Sequence, residues 1–401
     1  MEFLAAQDPF EAMPFLKKVL SATGLGWPRR NLLKFALTLL LPWLVILVPM
    51  LSYRFGNQLD LMIRGYSELL MLFNIEIRVL IFAWKQAEFE DFLAIVQGVF
   101  DKVRSAGAKS QEFKMVTVAN KAIDKAAKAY MIYPLIITVV FLVLPLLQTT
   151  AIYVMNRQNG TVEQDFITMT EIHYLYELDI RRNMFHYLIY YVCAFPSHCI
   201  LGFRVSLSGI VASGSIQSIN LIFDLVSHKL EKIHEFSGKE LRDQFSEIIN
   251  MHADGLSCIR IFERLSNVAV LVQMIDTALI WICLILCVTN NPTKNSLTLV
   301  CLLIVISSET YAFCKLGSEL TEKSSIVGWS AFEAQWIELP VDIQKGLSLM
   351  IRRSQKWEGL TAARFCPLSI EQFVNFVFFG AMVQTSYSVF VVLKERLQGM
   401  V

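Results

Sequence analysis

Residues 131–147 read MIYPLIITVVFLVLPLL and contain no charged side chain. The uncharged stretch around this run extends from residue 129 to residue 156, and the predicted span covers residues 129–153. A helix needs about 20 mostly apolar residues to cross the roughly 30 Å hydrocarbon core of a bilayer. The stretch is long enough for this, and it therefore predicts a transmembrane helix.

Six other segments are long and apolar enough to cross a bilayer, namely 31–53, 61–84, 184–213, 266–288, 296–314 and 369–393. The second and the last predicted spans carry several polar residues and give weaker signals. Of the 401 residues, 55% are hydrophobic and 18% are charged, whereas a soluble domain averages about 25% charged residues. Composition and segment pattern together predict an all-α membrane protein with seven transmembrane helices.

The distribution of basic residues predicts how these helices are oriented. Lysine and arginine residues close to a transmembrane segment tend to remain in the cytoplasm. If the amino terminus is cytoplasmic, the cytoplasmic segments hold 25 of the 36 Lys and Arg residues and the extracellular segments hold 7. We therefore expect a cytoplasmic amino terminus and, after seven spans, an extracellular carboxyl terminus.

The loops agree with this topology. The glycosylation sequon Asn159-Gly160-Thr161 lies in the predicted extracellular loop between the third and fourth spans, so Asn159 is a predicted glycosylation site. None of the eight cysteines lies in a predicted extracellular loop, so we expect no disulfide bond. The first eight residues lack the basic and apolar regions of a cleavable signal peptide, so the first span is expected to direct membrane insertion.

No sequence motif points to catalysis or to a cofactor. The net charge of +1 does not provide the basic surface that nucleic-acid binding requires. The six histidines form no His-Glu-x-x-His pair and no Cys/His cluster with zinc spacing. A Gly-rich phosphate loop and a Gly-x-Ser-x-Gly nucleophile motif are also absent from the sequence. We therefore expect a protein that is not an enzyme and that needs no metal or cofactor.

Polar and aromatic residues within the predicted spans allow two interpretations each. Arg64 and Glu68 are four residues apart and can pair on one helical face, or Glu68 can form the polar end of a ligand pocket. Tyr187, Tyr190 and Tyr191 begin the fourth span. They are consistent with an interface belt and core packing, or with the wall of an apolar ligand cavity.

The last predicted span carries a polar stripe, because Gly380, Gln384, Ser388, Val391 and Glu395 fall on one face of a helix. Polar side chains are costly in contact with lipid, so this face should contact protein or water. One interpretation is helix packing through small and polar residues. The other is a water-filled pore shared among subunits, in which Glu395 near the outer mouth would favour cations.

Six short segments near the carboxyl terminus resemble, in the same order, the pattern of insect odorant receptors: FCKLGSEL at 313–320, WIELP at 336–340, RSQK at 353–356, LTA at 360–362, PLSIEQF at 367–373 and TSYSVF at 385–390. The predicted spans and the predicted topology agree with this family over the rest of the chain. Lys394 and Glu395 depart from the family pattern.

The resemblance implies a tuning subunit of a ligand-gated, non-selective cation channel, which assembles with a shared co-receptor subunit into a tetramer around one pore. Such a subunit binds a small volatile odorant in the outer half of its helix bundle. On this sequence, the implied pocket comprises Glu68, Met71, Leu72, Phe141, Pro145, Thr149, Tyr187, Tyr190, Tyr191, Leu302 and Val305. The implied pore residues are Gln384, Ser388, Phe390, Val391, Lys394 and Glu395. The family pattern places the gate near Phe390 and Lys394, whereas the helical periodicity favours Ser388 and Val391.

The resemblance also implies an organisation of the chain and a location in the cell. Residues 1–214 would hold spans one to four and most of the pocket, 215–265 a cytoplasmic helical extension, 266–315 spans five and six, 316–379 a cytoplasmic anchor, and 380–401 the pore-lining end. The expected location is the plasma membrane, in the dendrite of olfactory sensory neurons. A gustatory-type receptor channel is the main alternative. A G-protein-coupled receptor or a transporter fits the sequence less well.

Overall fold

The structure is a computed structural model, and it describes residues 8–26, 31–52, 59–107, 110–159, 165–290 and 294–375. At residues 59–60, 159, 284–290 and 294–302 it describes the backbone and not the side chains. Within these ranges the chain is predominantly helical, which confirms the predicted all-α fold.

The helices of the described ranges are α1 (Pro14–Thr23), α2 (Leu32–Pro42), α3 (Val48–Ser52), α4 (Leu59–Trp84), α5 (Gln86–Ser105), α6 (Gln111–Asn159), α7 (Met184–Glu231), α8 (Gly238–Asn290), α9 (Lys294–Glu333) and α10 (Val341–Ser354). A π-helical turn (Trp43–Leu47) joins α2 to α3, and 3-10 turns cover Ile233–Glu235 and Trp336–Glu338. Two antiparallel hairpins pair β1 (Tyr174–Leu175) with β2 (Leu178–Asp179) and β3 (Thr361–Ala362) with β4 (Cys366–Pro367). A last helix begins at residue 370 and is described as far as residue 375.

Four helices of the described chain are long and apolar enough to cross a membrane, at Leu32–Ser52, Gln111–Gln158, Met184–Glu231 and Gly238–Cys283. They contain nearly all of the predicted first, third, fourth and fifth spans. The predicted second and sixth spans lie in α4 and α9. The predicted seventh span starts where the last helix starts, and most of it lies outside the described residues.

Helices α7 and α8 are much longer than a bilayer requires. Helix α7 has 48 residues, which corresponds to a length of about 72 Å at 1.5 Å per residue. Both helices thus extend well beyond the predicted fourth and fifth spans. Helix α8 begins at Gly238 with a φ of 59°, a conformation that glycine adopts without steric cost.

Two clusters contain most of the buried apolar side chains in the described chain. The larger cluster joins α1, α5, the second half of α7, and parts of α8, α9 and α10. The smaller cluster lies between α4, α6, the loop after α6 and the first half of α7, and it includes Leu142 and Phe166. The opposite face of α6 exposes apolar side chains such as Ile136 and Leu147, which are 58% and 60% exposed. An exposed apolar face of this kind suits contact with lipid hydrocarbon.

The segment that leads into the last helix packs against α8 and α9. The Ala363 N–H donates to the Asn267 carbonyl at 2.9 Å. The Ile370 N–H donates to Ser318 Oγ, also at 2.9 Å. The backbone of Leu368 lies so close to Gly317 of α9 that a Cβ atom has no room there. The start of the last helix is therefore held directly against α9.

Candidate ligand-binding site

A cavity of about 140 Å³ lies between α4, α6, α7 and α9, with the loop after α6 at one end. Its walls are mostly apolar. An engineered cavity of about 150 Å³ in another protein binds benzene, so this volume suits a small organic molecule. The residues that line it are Glu68, Met71, Leu72, Ile75, Pro134, Ile137, Thr138, Phe141, Thr170, His198, Leu201, Gly202, Val205 and Val305.

Helices α6 and α7 approach each other closely at the wall of this cavity. Gly202 of α7 faces Thr138 of α6, and a Cβ atom on Gly202 would collide with the Thr138 hydroxyl. That hydroxyl donates a hydrogen bond to the Pro134 carbonyl at 2.8 Å, one turn earlier on the same helix. The missing side chain at residue 202 therefore permits the close approach and leaves the adjacent volume open.

Glu68, which lines the cavity, belongs to a group of buried charged side chains. Glu68 is 4% exposed, and its Oε1 accepts a hydrogen bond from Arg64 Nε at 2.8 Å. Its Oε2 accepts from the backbone N–H of Glu171 at 2.6 Å. The pairing of Arg64 with Glu68 that the sequence predicts is present, and Glu68 is also part of the cavity wall.

The same charges attach the loop after α6, residues 165–183, which we call the cap loop. The carboxylate of Glu171 is 1% exposed and pairs with Arg64 at 3.2 Å and with Arg181. Arg181 also donates to two backbone carbonyls of the cap loop, at 3.0 and 2.9 Å. We call the group of Arg64, Glu68, Glu171 and Arg181 the charge cluster. Its two positive charges balance its two negative charges, and buried charges need such compensation. On the same loop, burial and then the charge of Arg181 lower the pKa of His173.

Three predicted pocket residues contact the cap loop and do not line the cavity. The Tyr187 hydroxyl donates to the Ile167 carbonyl at 3.2 Å. The Tyr190 hydroxyl lies 3.4 Å from the backbone nitrogen and from the hydroxyl of Thr170. Thr149 Oγ1 donates to the Ile167 carbonyl at 2.9 Å and accepts from its N–H at 3.0 Å. In the structure these three side chains therefore attach the cap loop to α6 and α7.

The structure separates the other predicted site residues into three groups. Those that line the cavity are Glu68, Met71, Leu72, Phe141 and Val305. Pro145 and Tyr191 do not line it, and the Tyr191 ring packs near Phe195 with centroids 6.0 Å apart. The side chains of Leu302 and Asn159, and all of Gln384, Ser388, Phe390, Val391, Lys394 and Glu395, lie outside the described part of the chain.

The sequence interpretation missed His198, which lines the cavity from α7. An ionisable residue within a predicted span was the signal that could have identified it. Its Nδ1 lies 2.8 Å from the Ala194 carbonyl. A carbonyl oxygen only accepts, so Nδ1 carries a proton, and in the neutral ring Nε2 is an acceptor. Nε2 is buried and has no hydrogen-bond partner among the described residues.

Further buried polar contacts join α4 to its neighbours beyond the cavity. Glu76 pairs with Arg204 of α7, and Arg78 pairs with Glu309 of α9 at 2.6 Å. Asp276 of α8 accepts a hydrogen bond at 2.7 Å from a side-chain amide of α4. Charged side chains inside a membrane bundle require such partners, and these contacts link the helix of the cavity wall to α7, α8 and α9.

Comparison with known proteins identifies relatives of this chain. Odorant receptor 10 of Aedes albopictus is 22% identical over 351 residues, which cover 86% of this chain and 87% of that protein. Odorant receptor 22c of Drosophila melanogaster is 23% identical over 153 residues, or 38% of each protein. Odorant receptor 67c of the same species is 21% identical over 215 residues, or 53% of its length. The alignments with the two Drosophila proteins thus span about half of their length or less.

The fold has a counterpart among solved structures. The insect olfactory receptor OR5 from Machilis hrabei, in complex with eugenol, superposes with a TM-score of 0.73 over 96% of this chain and 100% of that receptor, at 11% sequence identity. A second structure of that receptor gives a TM-score of 0.68. The family model described as 7tm Odorant receptor matches residues 58–379. Because that match covers most of the chain, the protein belongs to the insect odorant receptor family.

Proposed function

We propose that this chain is an odorant-binding receptor subunit whose ligand occupies the cavity between α4, α6, α7 and α9. The insect odorant receptors are odorant-gated channels and not enzymes. The observation that carries the proposal is a mostly apolar cavity of about 140 Å³ inside a membrane helix bundle, with Thr170 of the cap loop in its wall. The OR5 receptor of Machilis hrabei, which has the same fold, was solved in complex with eugenol.

Ligand binding in such a site is driven by burial of apolar surface. At about 25 cal/mol per Å², a ligand that buries about 200 Å² gains about 5 kcal/mol before the entropic cost of association. One methylene group changes this by about 0.8 kcal/mol. A receptor of this kind therefore responds to a range of related small molecules with modest differences in affinity.

Ligand binding would open the channel by shifting the population from the closed to the open state. A ligand moves the equilibrium between closed and open states only by the difference in its affinity for the two states. Glu68 and Leu72 of the cavity wall lie on α4, as do Glu76 and Arg78, which pair with α7 and α9. If the ligand favours an open state in which α4 has moved, the partners of α4 on α7 and α9 would move as well.

The proposal includes an assembly with a shared co-receptor subunit into a heterotetramer that conducts cations. This part of the proposal rests on the family membership and on the polar pattern of the last predicted span. Residues 384–395 would form the pore. The receptor would lie in the plasma membrane of an olfactory dendrite, with a cytoplasmic amino terminus and a glycosylated Asn159.

Single cysteine substitutions in the last predicted span test which residues face the pore. Block by a thiol reagent at residues 388 and 391, and not at 390 and 394, would support the helical periodicity, and the reverse would support the family pattern.

Recordings from cells that express the chain with and without a co-receptor subunit test the function. We expect currents evoked by members of an odorant panel that require this chain and persist without an odorant gradient, which a transporter would not produce. Leu72→Trp should fill the cavity and abolish these currents. Leu147→Trp, on the exposed face of α6, is the matched control and should retain them.

Two results would contradict the proposal. One is the absence of odorant-evoked current in every combination, with surface expression verified. The other is an equal response from the Leu72→Trp and Leu147→Trp variants, because the cavity would then not be the binding site.

A further inference from the structure

His198 is a buried acceptor in the wall of the candidate site. Its side chain lines the cavity and the residue is 7% exposed. The bond from Nδ1 to the Ala194 carbonyl, at 2.8 Å, fixes which ring nitrogen is protonated. Nε2 is left as a lone-pair acceptor without a partner among the described residues. Buried polar groups in proteins are nearly always hydrogen-bonded, so the occupant of the cavity is the natural source of a donor.

The other polar side chains described in the cavity wall already have partners within the protein. Both carboxylate oxygens of Glu68 accept hydrogen bonds, from Arg64 and from the backbone of Glu171. The Thr138 hydroxyl donates to a backbone carbonyl. The Thr170 hydroxyl lies 3.4 Å from the Tyr190 hydroxyl. Among the described lining residues, His198 Nε2 is thus the one buried side-chain nitrogen or oxygen without a hydrogen-bond partner.

We infer that the cavity selects small apolar molecules that carry one hydroxyl group, namely alcohols or phenols, and that this hydroxyl donates a hydrogen bond to Nε2 of His198. The inference rests on the proposed function, since it names the ligand class of that same cavity. Ethers, esters and hydrocarbons cannot donate and would leave Nε2 unsatisfied. The Phe141 ring, whose centroid lies 6.1 Å from that of His198, provides apolar surface for the body of the ligand.

Pairs of isomers separate hydrogen bonding from size. Benzyl alcohol and anisole have the same atoms, as do hexan-1-ol and methyl pentyl ether, but only the alcohols donate. Two readouts are needed: odorant-evoked current of the full chain with a co-receptor subunit, and ligand-induced rise in the melting temperature of the purified full chain. A neutral hydrogen bond to a buried acceptor corresponds to about tenfold in affinity. We expect each alcohol to bind about tenfold more tightly than its isomer.

Three variants assign the preference to one atom. His198→Phe keeps an aromatic ring without an acceptor, and it should bring the alcohol-to-ether ratio close to one while binding of the ether is retained. His198→Gln keeps a carbonyl acceptor and should preserve most of the preference. Val305→Ala changes the apolar wall and should shift both isomers by a similar factor.

Several outcomes would overturn the inference. They are equal affinity of the isomers in the unaltered chain, an unchanged ratio in His198→Phe, and a lack of stabilisation by any alcohol of this size. The melting-temperature measurement distinguishes this from a failure of the proposed function. Stabilisation by alcohols alone, without current, would support the inferred ligand class and contradict the proposed channel function. Currents evoked only by compounds without a hydrogen-bond donor would support the channel function and contradict the ligand class.

Discussion

Removing one charge from the charge cluster should destabilise the protein strongly. Glu171→Gln leaves the two guanidinium groups of Arg64 and Arg181 with the single carboxylate of Glu68. Breaking a buried ion pair costs about 3–5 kcal/mol, because the remaining charge stays buried without compensation. Arg64 keeps its bond to Glu68 at 2.8 Å, and Arg181 keeps two backbone acceptors. We therefore expect a loss near the lower end of this range, about 3 kcal/mol.

An exposed ion pair on the same loop provides the matched control. Asp165 pairs with Arg182 at 3.3 Å, and their side chains are 49% and 67% exposed. Exposed pairs contribute about 0–1 kcal/mol, so Asp165→Asn should cost at most about 1 kcal/mol. The assay is thermal unfolding of the purified full chain in detergent, followed by loss of the monodisperse species. Equal melting temperatures for Glu171→Gln and Asp165→Asn would refute the assignment of the charge cluster as a structural attachment of the cap loop.

Three further predictions test other parts of the structure. Burial and then the charge of Arg353 lower the pKa of His252 to about 4. The free energy of unfolding should therefore be unaffected by His252 above pH 6.5. Towards pH 4 it should fall by up to about 1.4 kcal/mol per pH unit, because His252 takes up a proton only in the unfolded chain. Unfolding measured across this range should lose that slope in His252→Leu and keep it in His234→Gln, which alters an exposed histidine. Gly202→Ala should raise the half-maximal concentration of larger odorants more than that of smaller ones, since the new methyl group collides with the facing threonine hydroxyl; a uniform shift in dose–response curves would contradict this. Glycosidase treatment should change the electrophoretic mobility of the unaltered chain but not of Asn159→Gln, and an unaffected wild-type band would count against an extracellular loop.

The parts of the structure that depend on local sequence were predictable. The long helices follow from uninterrupted apolar segments, and Arg64 and Glu68 pair because residues four apart lie on one helical face. The partners of Arg204 and Asp276 were not predictable from the sequence. Pairing within one helix is determined by spacing, whereas pairing between helices depends on how the bundle is assembled.

The wall of the cavity could be predicted only in part. Helix α7 is apolar around most of its circumference, so periodicity does not show which face lines a cavity. The cap loop gives no periodic signal, and its contact with the bundle joins Glu68 to a residue 103 positions away. The contacts of the Tyr187 and Tyr190 hydroxyls with the cap loop could therefore not be predicted. The ionisable ring of His198 marks it in the sequence as unusual within an apolar span. The role of Gly202 becomes apparent only from the helix that packs against it in the structure.

The contact at Gly317 has a consequence for how movement can spread through the subunit. Helix α9 carries Glu309, the partner of Arg78, and two turns later it touches the backbone that enters the final helix. Gly317 has no side chain of its own, and its nearest neighbour is the backbone carbonyl of Leu368. A small translation of α9 would thus displace the residues that lead into the last helix.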